Sequence, residues 1–441
     1  LYYGEMPTGF AIVNSALPEV GPVGQAEHYG GNGGVFLNSL LRRVSFASQF
    51  GDINILLSSQ LTPESRIQYR REIRSRVKEV APFLKLDLDP YPVLDQAGKL
   101  WWLQDAYTAT ERIPYASPTA RPLPRAENKE ILGGFNYIRN SVKVVVDAYN
   151  GSVDFYVIQP GDPLVQMYRK AFPGLLKDFD QMPRDLQDHI RYPIGLFTAQ
   201  TQMFLRYHVT DPQVFFNQAE QWAVPLESRF GKRGVLLRPT YLMIQVPGEE
   251  RVEFVLMLPF TPAGEKKNLV GWIIARNDRP NYGGLIAFQV PGDPQVDGPS
   301  QVEARIENDQ QISQQFTLWE GAGSRVIRGQ LLVIPMSDTI LYVEPMYLQS
   351  EVLAFPELKK IILADGSDVV MADSIEEGLI MLVGGNAVPR AASGAQGSGS
   401  EFDENDFEQI REAVSGLEDA LDGLRKALKD LKDASSGNTG R

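Results

Sequence analysis

Between Tyr137 and Val157 the chain carries two alternating, β-rich runs that meet at Asn150-Gly151. An Asn-Gly pair in that setting is the strongest short-range signal for a β-hairpin, because both residues accept the positive φ of a tight reversing turn. Further strands are predicted at Tyr91–Leu94, Lys99–Tyr107, Arg251–Phe260, Leu269–Arg276, Leu285–Val290, Arg325–Ile334, Thr339–Glu344, Lys360–Ala364 and Asp368–Met371. Helices are predicted where a capping residue precedes helical periodicity: Thr62-Pro63-Glu64 into Val80, Asp162-Pro163 into Leu176, Gly195 into Tyr207, Asp211-Pro212 into Ala219 and Ser374 into Met381. Strands and helices cluster rather than alternate as βαβ units, so the expected class is α+β with a mixed, mostly antiparallel sheet and flanking helices.

Composition narrows the function classes. A chain of 441 residues that is 43% apolar and 22% charged can bury one or two sizeable cores. There is no cysteine, which excludes disulfides, thiolate nucleophiles and Cys-ligated metal centres. The formal charge of −12 argues against a nucleic-acid binder, whose affinity comes mainly from cationic contacts to phosphate. No run of apolar residues is long enough to span a bilayer; the best candidate, Gly34 to Leu57, is interrupted by Arg42, Arg43 and Asp52. The chain opens at Leu1 without a signal peptide's pattern and reads as a fragment.

The organisation expected is a body over residues 1–388, a linker over 389–405, an acidic helix over 406–433 and a tail over 434–441. Within the body, a subdomain break is placed near 113–134, where the proline-rich span Ile113–Arg125 reads as an exposed loop. The linker contains Ser393-Gly394-Ala395-Gln396-Gly397-Ser398-Gly399-Ser400. Beyond it Phe407, Ile410, Val414, Leu417, Leu421, Leu424, Leu428 and Leu431 recur in an unbroken a/d register. Ala413, Ala420 and Ala427 at the g positions remove the charges that pair parallel dimers, so this helix is expected to oligomerise in a bundle or dock on its own body.

Candidate site residues fall in three groups. The glycines Gly30, Gly31, Gly33 and Gly34 lead into an expected apolar helix, an arrangement in which backbone N–H groups can cradle an anion; the run matches neither a P-loop nor a dinucleotide fingerprint, and a flexible turn or helix entry is the default. Arg66, Arg70, Arg74 and Lys78, at steps of four, make a basic stripe on the helix predicted after Pro63, suited to anionic headgroups or to internal pairing with Glu64, Glu72 and Glu79. Asp105, Asp147 and Glu344 sit in or beside strands, where an acid pair of the glycosidase kind is one reading; for Asp147 a structural hydrogen-bond acceptor or an exposed cross-strand residue is the other. His28, His189 and His208 lack the spacing of a metal site, and no nucleophile elbow accompanies them; no cofactor or metal is called for.

Several separated segments carry a resemblance: Phe50-Gly51-Asp52, Leu61-Thr62-Pro63-Glu64-Ser65-Arg66, Tyr69-Arg70-Arg71-Glu72-Ile73-Arg74, Phe172-Pro173-Gly174-Leu175, Leu258-Pro259-Phe260-Thr261-Pro262 and Tyr342-Val343-Glu344-Pro345. With these the chain resembles the large soluble portion of the bacterial membrane proteins grouped as uncharacterised protein family 0182. The resemblance implies the extracytoplasmic part of a multi-pass membrane protein, attached through transmembrane helices that precede it, and it transfers no catalytic residue. Two function classes follow: a noncatalytic envelope domain that binds a partner protein, lipid or wall polymer, and a carboxylate-dependent hydrolase or transferase acting on an envelope substrate.

Overall fold

The computed structural model describes residues 1–383 apart from residue 8 and residues 21–25, 119–134, 230–231, 250, 322–323, 337–338, 351–354 and 367. The linker and the heptad helix, Phe407 to Leu431, lie outside the described residues. The fold is α+β, built on mostly antiparallel sheets. Two compact units divide the chain: Leu1–Phe204 with Asn277–Gly283, and Leu205–Arg276 with the described residues from Gly284 onward.

The first unit is organised by a six-stranded sheet in the order Leu176–Asp178, Val153–Val157, Tyr137–Asp147, Leu100–Thr110 and Lys85–Leu86, with Tyr91–Leu94 also paired to Leu100–Thr110. The predicted hairpin is the pair Tyr137–Asp147 and Val153–Val157, in register Val153↔Val146 through Val157↔Val142. Asp147 fastens its turn, accepting from the N–H groups of Tyr149 and Asn150 and from Lys99 Nζ at 2.8 Å. Those hydrogen bonds hold its carboxyl below the ordinary range although burial acts the other way. The structural reading of Asp147 is therefore the one the molecule adopts.

Each long strand is buried on both faces. Val142, Val144, Val146 and Ala106 pack with Ile73 and Val77 on one side, while Leu103 and Val145 pack with Tyr91, Met182 and Leu186 on the other. Fully burying a valine or leucine contributes about 1.5–3 kcal/mol, so these strands dominate the unit's stability. Among the described strands Val153–Val157 and Leu176–Asp178 pair in parallel, joined through the helix Pro163–Ala171, which Asp162 caps by accepting from Leu164 N–H. The helix predicted to run on to Leu176 stops at Ala171, because the chain turns to add that strand.

The subdomain break expected near 113–134 is not where the units divide. The chain leaves the sheet at Thr110 and returns at Tyr137 directly beside the strand it left, Thr110 pairing with Tyr137. Most of the span 113–134, residues 119–134, lies outside the described residues.

One correction concerns the helix expected from Pro63 to Val80. Arg66–Gln68 is a strand, central between Ala11–Val13 and Val35–Phe36, with Ile67 fully buried. Arg70 adopts a left-handed φ of 51°, and the helix starts only at Ile73, where Glu72 accepts from the N–H groups of Arg74 and Ser75. Sheet pairing overrides the helical periodicity, and a carboxylate at the cap resets the start.

The second unit packs two antiparallel sheets about one core. The first sheet contains Val252–Pro262 and Gly271–Arg276; the second contains Ile340–Ser350 and Pro356–Asp365. Met257, Ile274, Tyr342 and Ile362 meet in that core beside Val302 and Ile306 of the helix Pro299–Asn308. The opposite face of the second sheet, Leu341, Val343 and Leu363, is covered by Leu379 of the helix Ile375–Val383.

Candidate functional site: a cationic cleft above a buried ion pair

In the first unit Asp105 lies directly opposite Lys143 across the Leu100–Thr110 and Tyr137–Asp147 ladder, and both side chains are almost fully buried. Lys143 Nζ donates to Asp105 Oδ1 and to the Arg191 carbonyl, the latter at 2.6 Å. Burying a charge costs several kcal/mol unless it is paired and hydrogen-bonded, so each of these contacts is needed for the other to persist. Burial pushes the Asp105 carboxyl above its ordinary value, against the opposing pull of Lys143 and of Asn140.

A bulge makes the arrangement possible. Pairing runs Ala106↔Val142 and then Thr108↔Arg139, so Asn140 and Ser141 together face Tyr107 alone. The extra residue re-aims both polar side chains. Asn140 Nδ2 donates to Asp105 Oδ1 at 3.0 Å, and Ser141 Oγ donates to Asp162 Oδ2 at 2.7 Å. Asp162 also accepts from Thr108 and Tyr137, both at 2.6 Å; burial acts to raise its carboxyl, and these hydrogen bonds hold it below the ordinary range.

On the same side of the network Asp87 accepts from Tyr107 OH and from the N–H groups of Leu88 and Gly195. Burial, reinforced by the Asp105 carboxylate, nevertheless pushes Asp87 up to about 6. Tyr107 OH in turn accepts from Leu196 N–H at 3.3 Å, tying the bulge to the first turn of the helix Ile194–Tyr207.

Over this network opens a cleft of about 480 Å³, within the range of small-molecule sites. Asn140 and Tyr282 belong to both: Asn140 holds Asp105, while Tyr282 donates to the Arg191 carbonyl at 3.1 Å and offers its ring to Lys143 at 5.5 Å. The remaining wall mixes apolar and aromatic side chains, among them Ile138, Ile158, Phe179 and Tyr192, with the amides of Gln159 and Gln200, and its charged members are Arg139 and Arg279. Among the described lining residues there is no carboxylate, histidine, serine or threonine. Asn140 Oδ1 and Gln159 Oε1 are buried acceptors without a hydrogen-bond donor. The Asn140 amide cannot be turned round to remedy this, since its oxygen would then face the Asp105 carboxylate.

The residues singled out from the sequence lie apart from the cleft, with Asp105 as the link. Asp105 and Asp147 are four places apart on the ladder, about 14 Å, beyond the span of a glycosidase pair. Glu344 belongs to the second unit, where Arg328 clamps both its oxygens at 2.6 and 2.7 Å. The basic stripe is dispersed: Arg66 stacks on Phe36 from a strand, Arg70 pairs with Glu79, and only Arg74 and Lys78 share the helix Ile73–Val80.

The glycine run leads into the short strand Val35–Phe36 rather than a helix, and three of its amides are used internally. Gly30 N–H donates to Tyr149 OH, Asn32 N–H to Asn150 Oδ1 and Gly33 N–H to Tyr29 OH, all at 2.8–3.0 Å. A Cβ on Gly31 or Gly33 would lie 2.4 or 2.3 Å from Asn150, so the glycines permit close packing on the hairpin turn; Gly34 has φ +82°. His28 and His189 are exposed, and among the described residues no cluster of His, Asp or Glu would hold a metal ion.

What fold and site define is an α+β protein whose first unit carries a cationic, acid-free cleft backed by a buried ion pair. A family profile, Uncharacterised protein family (UPF0182), matches residues 1–319, and the chain belongs to that family. Relatives called UPF0182 protein agree: one from Pelotomaculum thermopropionicum is 47% identical over 88% of this chain and 41% of its own length. Others from Moorella thermoacetica and Sulfurovum are each 42% identical, over 97% and 100% of this chain and 46% and 47% of their own length. The chain thus spans less than half the length of these relatives. No solved structure matches it. Among the described residues, no helix is long and apolar enough to cross a membrane.

Proposed function

We propose that this chain is a noncatalytic binding module of a larger cell-envelope protein and that its first unit holds an anionic ligand in the cleft. The observation that carries this reading is the lining: two arginines, aromatic walls and unpartnered amide oxygens, with no acid, histidine or hydroxyl nucleophile among the described lining residues. Asp87 and Asp105 stand behind Asn140 with raised carboxyls, yet Asp105 is committed to Lys143 and neither lines the cleft, which favours binding over carboxylate-dependent hydrolysis.

Anilinonaphthalene sulfonate joins an anion to an aromatic body and is a suitable probe. The chain is expected to bind it at one saturable site that Arg279→Ala abolishes. Absence of saturable binding, or a site indifferent to both Arg139→Ala and Arg279→Ala, overturns the reading. The envelope location, with a membrane anchor outside this chain and the module extracytoplasmic, is tested on the full-length protein: added protease is expected to remove this region from intact spheroplasts. Protection in spheroplasts with cleavage after lysis would put it inside the cell.

A further inference from the structure

Resting on the binding reading above, we infer that the cleft takes a sugar or polyol bearing an acid group, a carboxylate or a phosphate ester. Three features of the wall ask for different parts of such a molecule. Asn140 Oδ1 and Gln159 Oε1 are buried acceptors with no donor, and they call for a ligand that brings O–H or N–H groups to them. A fatty acid carboxylate has none to give, and inorganic phosphate near neutral pH has only the one or two O–H groups of the anion itself, with no polyol to reach both oxygens.

Arg139 and Arg279 call for the anion. Each spends one described hydrogen bond inside the protein, Arg139 Nε on Tyr137 OH at 3.1 Å and Arg279 Nη1 on Gln187 Oε1 at 2.9 Å. A guanidinium carries five N–H donors in a fork that matches carboxylate and phosphate oxygens, so both retain donors for a ligand. Arg279 is further held over the Phe179 ring at 4.7 Å, which fixes its plane. The aromatic rings of Phe179, Tyr192 and Tyr282 supply the third feature, flat apolar faces against which the C–H face of a sugar ring can pack.

Displacement of anilinonaphthalene sulfonate from the full chain, with D-glucuronate, glucose 6-phosphate, glucose and inorganic phosphate as competitors, tests the inference. Glucuronate or glucose 6-phosphate is expected to compete at least tenfold better than glucose or inorganic phosphate; which of the two is stronger tells carboxylate from phosphate ester. Gln159→Leu removes one acceptor and is expected to weaken the stronger sugar acid about tenfold more than it weakens the dye, which has a single N–H where a sugar acid has several O–H donors. Thermal melting of the variant confirms that it is folded, and Asn140→Leu gives a second, independent removal. If the dye binds at one site but neither sugar acid displaces it, or glucose competes equally well, the ligand class is overturned while the binding reading stands. If the dye does not bind at all, both fall.

Discussion

The ion pairs Asp105–Lys143 of the first unit and Glu344–Arg328 of the second each bury a strand carboxylate, and they are built differently. In the second unit Arg328 grips both oxygens of Glu344 and extends its remaining arm to Glu307 at 2.9 Å, so the charges close on one another. In the first unit Lys143 and Asp105 are satisfied only with help from Asn140 and the Arg191 carbonyl, and the chain of hydrogen bonds ends at Asn140 Oδ1, an acceptor with no donor. Both pairs perturb their carboxyls in the same direction, upward through burial. Charge burial alone therefore does not mark a site; hydrogen-bonding capacity left open beside a cleft does.

The largest test of that contrast is removal of one partner. Lys143→Met leaves Asp105 charged and enclosed, and is expected to cost about 3–5 kcal/mol of stability in urea unfolding. Glu344→Gln should cost less, about 2 kcal/mol, because Arg328 keeps Glu307 and one amide oxygen. Equal losses would erase the distinction between an open and a closed pair.

Acid titration comes next. The Asp87 carboxyl is raised in the fold to about 6. The folded state therefore binds the proton more tightly than the unfolded chain, and its stability falls as pH rises from about 4 to 6. Asp87→Asn should abolish that decline, gaining about 2–3 kcal/mol on the wild type across the window. Asp162 has the opposite sign: its carboxyl is depressed, so its contribution is present above the unfolded value near 4 and lost as pH falls through the folded one. The stability gap between wild type and Asp162→Asn should shrink on acidification, and a gap that widens would refute the assignment.

A smaller effect follows from packing. A Cβ on Gly195 would stand 2.7 Å from Asp87 Oδ1 and 2.9 Å from Tyr107 OH, so Gly195→Ala should cost about 1–3 kcal/mol by pushing the helix start off the network. Smallest of all, Tyr282→Ala should weaken dye binding by no more than roughly tenfold, the worth of one aromatic contact, while Glu344→Gln leaves it unchanged within twofold. Dye affinity that responds to Glu344→Gln would mean that the probe reads the closed pair's unit.

Much of the sheet was legible because its strands are long and strictly periodic: Tyr91–Leu94 was anticipated residue for residue, and the Asn150-Gly151 hairpin occurs where the pattern placed it. The Gly195 helix also stands within a residue of expectation. Failures cluster where tertiary pairing or a cap decides. Arg66–Gln68 looked helical because its arginines recur at four, but its pairing with two neighbouring strands outweighed that periodicity. The helices Pro299–Asn308 and Gln310–Gly321 went unread, although Gly298-Pro299 with Gln301 is a helix-start pattern.

Of the site, only Asp105 was anticipated. A signal for the rest was present in Asn140-Ser141-Val142-Lys143, where polar residues occupy both phases of an otherwise apolar strand. A strand buried on both faces tolerates that only if the polar groups find partners, and a bulge is the usual means. Nothing local marks Gln159 or Arg279, which reach the cleft from other parts of the chain.

The bulge at Asn140 and Ser141 also sets what kind of sequence change this region can survive. A substitution at either residue removes one side chain's contacts. A single-residue deletion there would remove the extra residue and leave Thr108 opposite Arg139 and Ala106 opposite Val142, so the strand would become regular and Tyr137, Ile138 and Arg139 would keep their faces. What that event would take away is one of the two polar side chains set against Tyr107: Asn140, which holds Asp105, or Ser141, which donates to Asp162. Elsewhere in Tyr137–Asp147 a change of length would turn every residue on one side of it to the other face, so descendants of this chain should lose a residue at the bulge more readily than at any other point of the strand.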